Sequence, residues 1–208
     1  CYSNLLVMNR RIKGIVMKHL TTTFLTVILA TLSFYAQPQG NTPVKAVDSV
    51  DLNKYAGKWY EIARYPNKFQ KKCVGNTTAT YVLKSREKLE VINRCLEKDG
   101  TISDAMGAGK VEDKQTNAKL EVRFAPRFLS FLPMVWADYW VIDLAPDYSY
   151  SVVGTPDRDY LWILAREPEF KDSLYQDILR RAEKQGFQPA KVVKTPQGLE
   201  TGKGSVLN

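Results

Sequence analysis

Histidine is almost missing from this chain: of its 208 residues only His19 is one, and it lies in a stretch that reads as a leader. The rest offers no Ser-His-Asp or Cys-His pair for nucleophilic catalysis and no imidazole for a zinc or facial-triad metal site. No metal and no cofactor are therefore expected. Cysteine is scarce too, with Cys1, Cys73 and Cys95 alone. No basic cluster interleaved with aromatics occurs, so nucleic acid is not expected as a partner. Long apolar runs are lacking as well, except for Leu20 to Ala36.

That exception follows Arg10, Arg11, Lys13 and Lys18, the order of a basic n-region and an apolar h-region in a secretory signal peptide. Met17 reads as the start, residues 1–16 as an upstream extension, and residues 1–36 as absent from the mature protein. An uncleaved anchor is the alternative, since 17 residues lie at the low end of a membrane span. No cysteine follows the run to accept an N-terminal lipid. The expected location is outside the cytoplasm: periplasmic, outer-membrane-associated or secreted. Four of the 30 basic residues and none of the 22 acidic ones fall in this stretch, so the net charge drops from +8 to +4 without it. Cys73 and Cys95 remain, and an exported chain favours a disulfide between them. A turn at Ser85 to Lys88 would set Cys95 opposite Thr78, so the bridge needs the segment around Cys73 to fold back; two buried thiols are the other reading.

From Gly57 onward, alternating apolar and polar residues recur between turn signals such as Tyr65-Pro66-Asn67, Lys98-Asp99-Gly100, Ala145-Pro146-Asp147 and Gly154-Thr155-Pro156-Asp157. Strands are expected at about 57–65, 75–84, 88–97, 101–112, 118–125, 137–145, 148–154 and 159–166. Leu174, Ile178 and Ala182, with Tyr175 and Leu179 beside them and Gly186 as a stop, mark one amphipathic helix over 170–185. A short β-like piece, Ala190 to Lys194, and a flexible tail over 196–208 follow. Eight successive strands with short connections predict an antiparallel up-and-down β-barrel with the helix packed outside, spanning 37–195 as one domain.

The most distinctive segment is Gly57-Lys58-Trp59-Tyr60-Glu61, where a glycine precedes a tryptophan that must be covered and whose N–H needs an acceptor. With Asp147-Tyr148 between two late strands and Arg166 at the end of the last one, it resembles the three spaced signatures of the lipocalins. Gly57 to Arg64 and Gly154 to Pro168 are most similar to the group of bacterial Blc-type lipocalins, plant temperature-induced lipocalins and apolipoprotein D. The resemblance covers nearly all of the mature chain. It implies that Arg166 packs across Trp59 at a closed end of the barrel, and that Gly57, Trp59, Asp147, Tyr148 and Arg166 are structural.

Within a barrel, alternate side chains face inward. Tyr81 with Leu83, Val91 with Asn93, Tyr148 with Tyr150 and Val152, and Tyr160 with Trp162 and Leu164 each share a face. On the sixth strand either Tyr139 with Val141 or Trp140 with Ile142 faces in; a one-residue slip inverts every such assignment. Phe124 closes the fifth strand. The connection Pro126 to Trp136 is unusual for a loop, with Phe128, Leu129, Phe131, Leu132, Met134, Val135 and Trp136 between two prolines. It is expected at the open mouth, gating the cavity or dipping into a membrane with Arg127 on the headgroups, or folded as a lid. The resulting expectation is a non-enzymatic carrier of one fatty-acid-like or lysophospholipid-like ligand, with a role in membrane lipid transport, storage or stress response. Its rivals are a lipocalin-fold enzyme using a Cys73 or Cys95 thiolate and a carrier of a haem-like pigment held by tyrosine.

Overall fold

Turn chemistry cuts the alternating pattern into nine strands over residues 42–200, the part of the chain that the computed structural model describes. The expected leader and upstream extension lie outside the described residues, as does the end of the tail. A four-residue helix, α1 (Leu52–Tyr55), precedes β1 (Gly57–Arg64), β2 (Cys73–Ser85), β3 (Lys88–Glu97), β4 (Ile102–Val111), β5 (Lys119–Arg123), β6 (Ala137–Leu144), β7 (Tyr150–Gly154) and β8 (Leu161–Ala165). Then come α2 (Asp172–Lys184) and β9 (Val193–Lys194). All neighbours are antiparallel, in the order β2-β3-β4-β5-β6-β7-β8-β1, and β1 also pairs with β2, which closes an eight-stranded barrel. β9 adds to the far half of β1, where Ala63 faces Lys194 and Arg64 faces Val193.

The fold class, an all-β eight-stranded up-and-down barrel with one helix outside, is the one the strand spacing predicted. β7 begins later than expected because Tyr148 takes a φ of 61° in the turn before it. α1 carried no helical periodicity; its start is a local device, the Asp51 carboxylate accepting from the Asn53 N–H. The polar lead-in is tied to the barrel by bonds from the Val47 N–H to the Val141 carbonyl and from the Val50 N–H to the Thr116 carbonyl.

Two apolar cores result. Inside the barrel lie Trp59, Ala79, Tyr81, Leu89, Val91, Leu120, Tyr139, Val141, Val153 and Leu164, with Tyr55 and Leu52 of α1 beneath them. Outside, α2 lays Tyr175, Ile178, Leu179 and Ala182 over Ile62, Ile142, Val152, Leu161 and Ile163.

Cys73 and Cys95 are joined, with their Cα atoms 5.6 Å apart. The register explains how. Thr78 faces Arg94 while Cys73 faces Glu97, so β2 takes five steps where β3 takes three. The surplus is absorbed in bulges around Asn76, at φ 49°, which draw Cys73 back to a position diagonal to Cys95. Residues 195–199, which take in the start of the tail expected to be flexible over 196–208, strap the gap where β1 and β2 diverge. The Thr195 N–H donates to the Ile62 carbonyl, the Gln197 amide donates to the carbonyls of Glu61 and Thr77, and the Asn76 side chain bonds both the N–H and the carbonyl of Leu199.

Candidate functional site

The strand directions sort the loops into two ends. At one lie α1, the β2–β3 turn, the β4–β5 connection and the β6–β7 turn; at the other lie residues 65–72, 98–101, 124–136 and 155–160. At the first end Trp59 is fully buried and donates its indole N–H to the Tyr55 carbonyl at 2.8 Å. The Arg166 guanidinium sits 3.8 Å from the Trp59 ring centroid and donates to the carbonyls of Lys54, Tyr55, Ala56 and Lys58. One cation thereby covers the indole and satisfies the last carbonyls of α1. Gly57 is needed beside it, because φ is 98° and a Cβ there would lie 3.3 Å from Arg166 Nη1. Tyr148 accepts at its hydroxyl from the Asp51 N–H, and Asp147 accepts from the Ser149 N–H. All five signature residues therefore sit at the closed end.

Above this plug the interior is filled by a chain of hydroxyls: Ser151 to Tyr55 at 3.0 Å, Tyr55 to Tyr139 at 2.8 Å, and Tyr139 to Tyr81 at 2.7 Å. Burial pushes the Tyr55 phenol up to about 12 and raises those of Tyr81 and Tyr139 as well, so all three remain neutral donors and acceptors.

Pairing settles which faces are inner. Val141 pairs with Val153 and Tyr139 with Leu120, so Tyr139 points in and Trp140 points out, where Lys119 Nζ lies 4.1 Å from its ring centroid. Tyr150 is outside too, edge-on to Phe170, with its hydroxyl accepting from Arg181. Ser151 and Val153 are the inner residues of β7. Tyr81, Val91 and Asn93 face in, as does Trp162, which is directly paired with Val153.

The open half differs from the floor. Ala105, paired with Asn93, and Ala137, paired with Val122, face inward yet are exposed, and Asn93, Gly107, Val122 and Trp162 are half-buried. Phe124, 43% exposed, lies over Gly107, where a Cβ would meet its ring at 2.8 Å; the glycine makes room for it. Inner-facing side chains that still meet solvent mark this half of the barrel as a candidate ligand cup. At its rim Tyr160 stacks on Trp162 with centroids 5.6 Å apart, Phe69 leans on Tyr160, and the Trp162 indole donates to Gln70 Oε1. Glu61 is buried in the same wall and accepts from the Gln70 amide and the Thr195 hydroxyl, each at 2.6 Å. Burial raises its carboxyl above the usual range, against the opposing pull of these bonds and of Arg64.

The 126–136 loop leaves three large apolar side chains in solvent. Phe128, Phe131 and Met134 are 74, 76 and 85% exposed, around two 3-10 turns at Arg127–Leu129 and Pro133–Val135. Trp136 is turned away from the cup. Its indole donates to the Ser130 carbonyl, and its ring lies against Lys110 and Arg123 on the outer wall. Arg123 in turn bonds the carbonyls of Ala125 and Pro126. The Arg127 side chain, expected on lipid headgroups, lies outside the described residues.

Sequence reasoning did not single out Ala105, Gly107 or Val122, whose small or ordinary side chains give no signal until the register is known. It also did not pick out Arg64, which a bulge in β1 between Glu61 and Ala63 turns inward. The Cys73 and Cys95 sulfurs are bonded to each other, which removes the thiolate that the enzymatic alternative required.

A family model described as a lipocalin-like domain matches residues 50–197. The chain is 38% identical over 157 residues to temperature-induced lipocalin-1 of Arabidopsis thaliana, covering 74% of this chain and 83% of that protein. It is 36% identical over 155 residues to outer membrane lipoprotein Blc of Escherichia coli, with the same shares of the two chains covered. Insecticyanin from the tobacco hornworm Manduca sexta superposes with a TM-score of 0.57 at 22% identity, covering 74% of this chain and 84% of that one, a likeness of fold.

Proposed function

The chain belongs to the lipocalin family, and from that premise we propose that it is an exported carrier holding one fatty-acid-like or lysophospholipid-like molecule in the open half of its barrel. The observation that carries the proposal is the contrast inside the barrel: tyrosines fill the closed half, while Ala105, Val122, Phe124 and Trp162 line a solvent-accessible apolar wall above them. No bond is made or broken. Affinity comes from chain burial, about 0.8 kcal/mol per methylene removed from water. Export is supported by the leader composition, by the disulfide, and by the likeness to an outer membrane lipoprotein. Small hydrophobic ligands are the class that suits such a cup.

The exposed Phe128, Phe131 and Met134 extend the proposal to membranes: the loop over residues 126–136 touches a lipid surface and brings the mouth to its cargo. Native mass spectrometry of protein purified without detergent, followed by extraction of whatever is bound, tests the carrier. One lipid-sized adduct per chain is the expected result. A barrel that emerges empty and also rejects a fluorescent fatty acid would overturn it.

A further inference from the structure

We propose that Arg64 is the head-group anchor of the cup, its guanidinium receiving the carboxylate or phosphate of an anionic single-chain lipid; the assignment rests on the carrier reading above. Simple alternation from Trp59 and Glu61 would put Ala63 inside and Arg64 outside. The bulge between Glu61 and Ala63 reverses this: Ala63 faces Ile163 on the outer wall, and Arg64 faces Trp162 on the inner one. The charge is thus aimed into the barrel at the level of the Tyr160–Trp162 stack, just above the apolar wall.

Among the described arginines that are buried or half-buried it alone donates no hydrogen bond; the exposed Arg86 also donates none. Arg166 and Arg158 donate to backbone carbonyls, Arg123 does so through Nη1 although its buried Nε has no partner, and Arg94 and Arg181 donate to aspartates. Arg64, with a side chain only 14% exposed, makes no hydrogen bond among the described residues. Its buried Nε forms an ion pair with Glu61 Oε1 at 3.2 Å but has no hydrogen-bond partner. Glu61 does not depend on it, since the Gln70 amide and the Thr195 hydroxyl already serve that carboxylate. A guanidinium held against a carboxylate on one edge presents its remaining planar N–H groups to an incoming anion, and this fork matches a carboxylate or a phosphate. The chain attached to that anion then runs down past Val122 and Phe124 and stops at the filled floor.

Displacement of a fluorescent fatty acid by palmitate and by hexadecanol, which share a chain and differ in the head, reads the anchor as a ratio of affinities. The wild type is expected to favour palmitate about ten-fold or more, Arg64→Met to bring the ratio near one, and Arg64→Lys to leave it between. Lysophosphatidic acid in the same assay tells a phosphate preference from a carboxylate one. An unchanged ratio in Arg64→Met overturns the assignment while leaving the carrier intact. So does a wild type that does not distinguish the two heads, a result that stands even if Arg64→Met fails to fold. If neither probe displaces the fluorophore from the wild type, the carrier reading itself fails.

Discussion

The two ends of the barrel solve opposite problems with the same residue types. At the closed end an arginine and a tryptophan are fully spent: Arg166 covers Trp59 and bonds four carbonyls, and the indole has its acceptor. At the open end Arg64 lies beside Trp162 on the same inner wall without a hydrogen bond among the described residues, and phenylalanines stand in solvent. Complete satisfaction makes a plug and contributes stability. Unspent donors and uncovered apolar surface contribute no such stability, and under the carrier proposal a ligand or a lipid surface pairs with them.

Breaking the closed end has the largest expected effect. Trp59→Ala removes a fully buried side chain and is expected to cost about 3–5 kcal/mol in chemical denaturation. Arg166→Met, which strips the carbonyl acceptors of a charged donor, is expected to cost about 2–3 kcal/mol. The floor between the ends responds to alkali. The Tyr55 phenol lies near 12 in the folded protein and near 10 when unfolded, so its contribution is intact below pH 10 and is lost as the pH rises toward 12. Phenolate absorbance in an alkaline titration should show Tyr55, Tyr81 and Tyr139 silent until unfolding, and Tyr139→Phe should leave only two such groups. The open-end loop shows the smallest stability effect: Phe128→Ser with Phe131→Ser and Met134→Ser is expected to shift unfolding by no more than about 0.5 kcal/mol per site. The same variant should lose co-sedimentation with liposomes; full retention would sink the membrane contact.

Much of the closed end was legible in the sequence because its residues announce themselves. A Gly-x-Trp, a late Asp-Tyr turn and a terminal Arg are rare residues at fixed places, and burying an indole demands a partner. The open end was less legible for a physical reason. Alternation carries no absolute phase, so Tyr139 and Trp140 were equal candidates until Val141 was seen paired with Val153. Bulges then broke the alternation where it mattered: one turned Arg64 inward, and those around Asn76 brought Cys73 within reach of Cys95. The wall of the cup is made partly of Ala105 and Gly107, whose contribution is the space they leave. The strap over 195–199 was hidden by composition, since Pro196, Gln197 and Gly198 resemble a tail until Asn76 and Glu61 are seen holding them.

The central claim is that ligand enters the open half, and Ala105→Trp tests it most directly. Ala105 is exposed yet faces inward, so an indole there fills the cup without disturbing the plug. A titration with a fluorescent fatty acid should show one site per chain in the wild type. In the variant, affinity should fall at least about ten-fold, with the unfolding midpoint held. Unchanged affinity in a folded Ala105→Trp protein would place the ligand elsewhere and contradict the account.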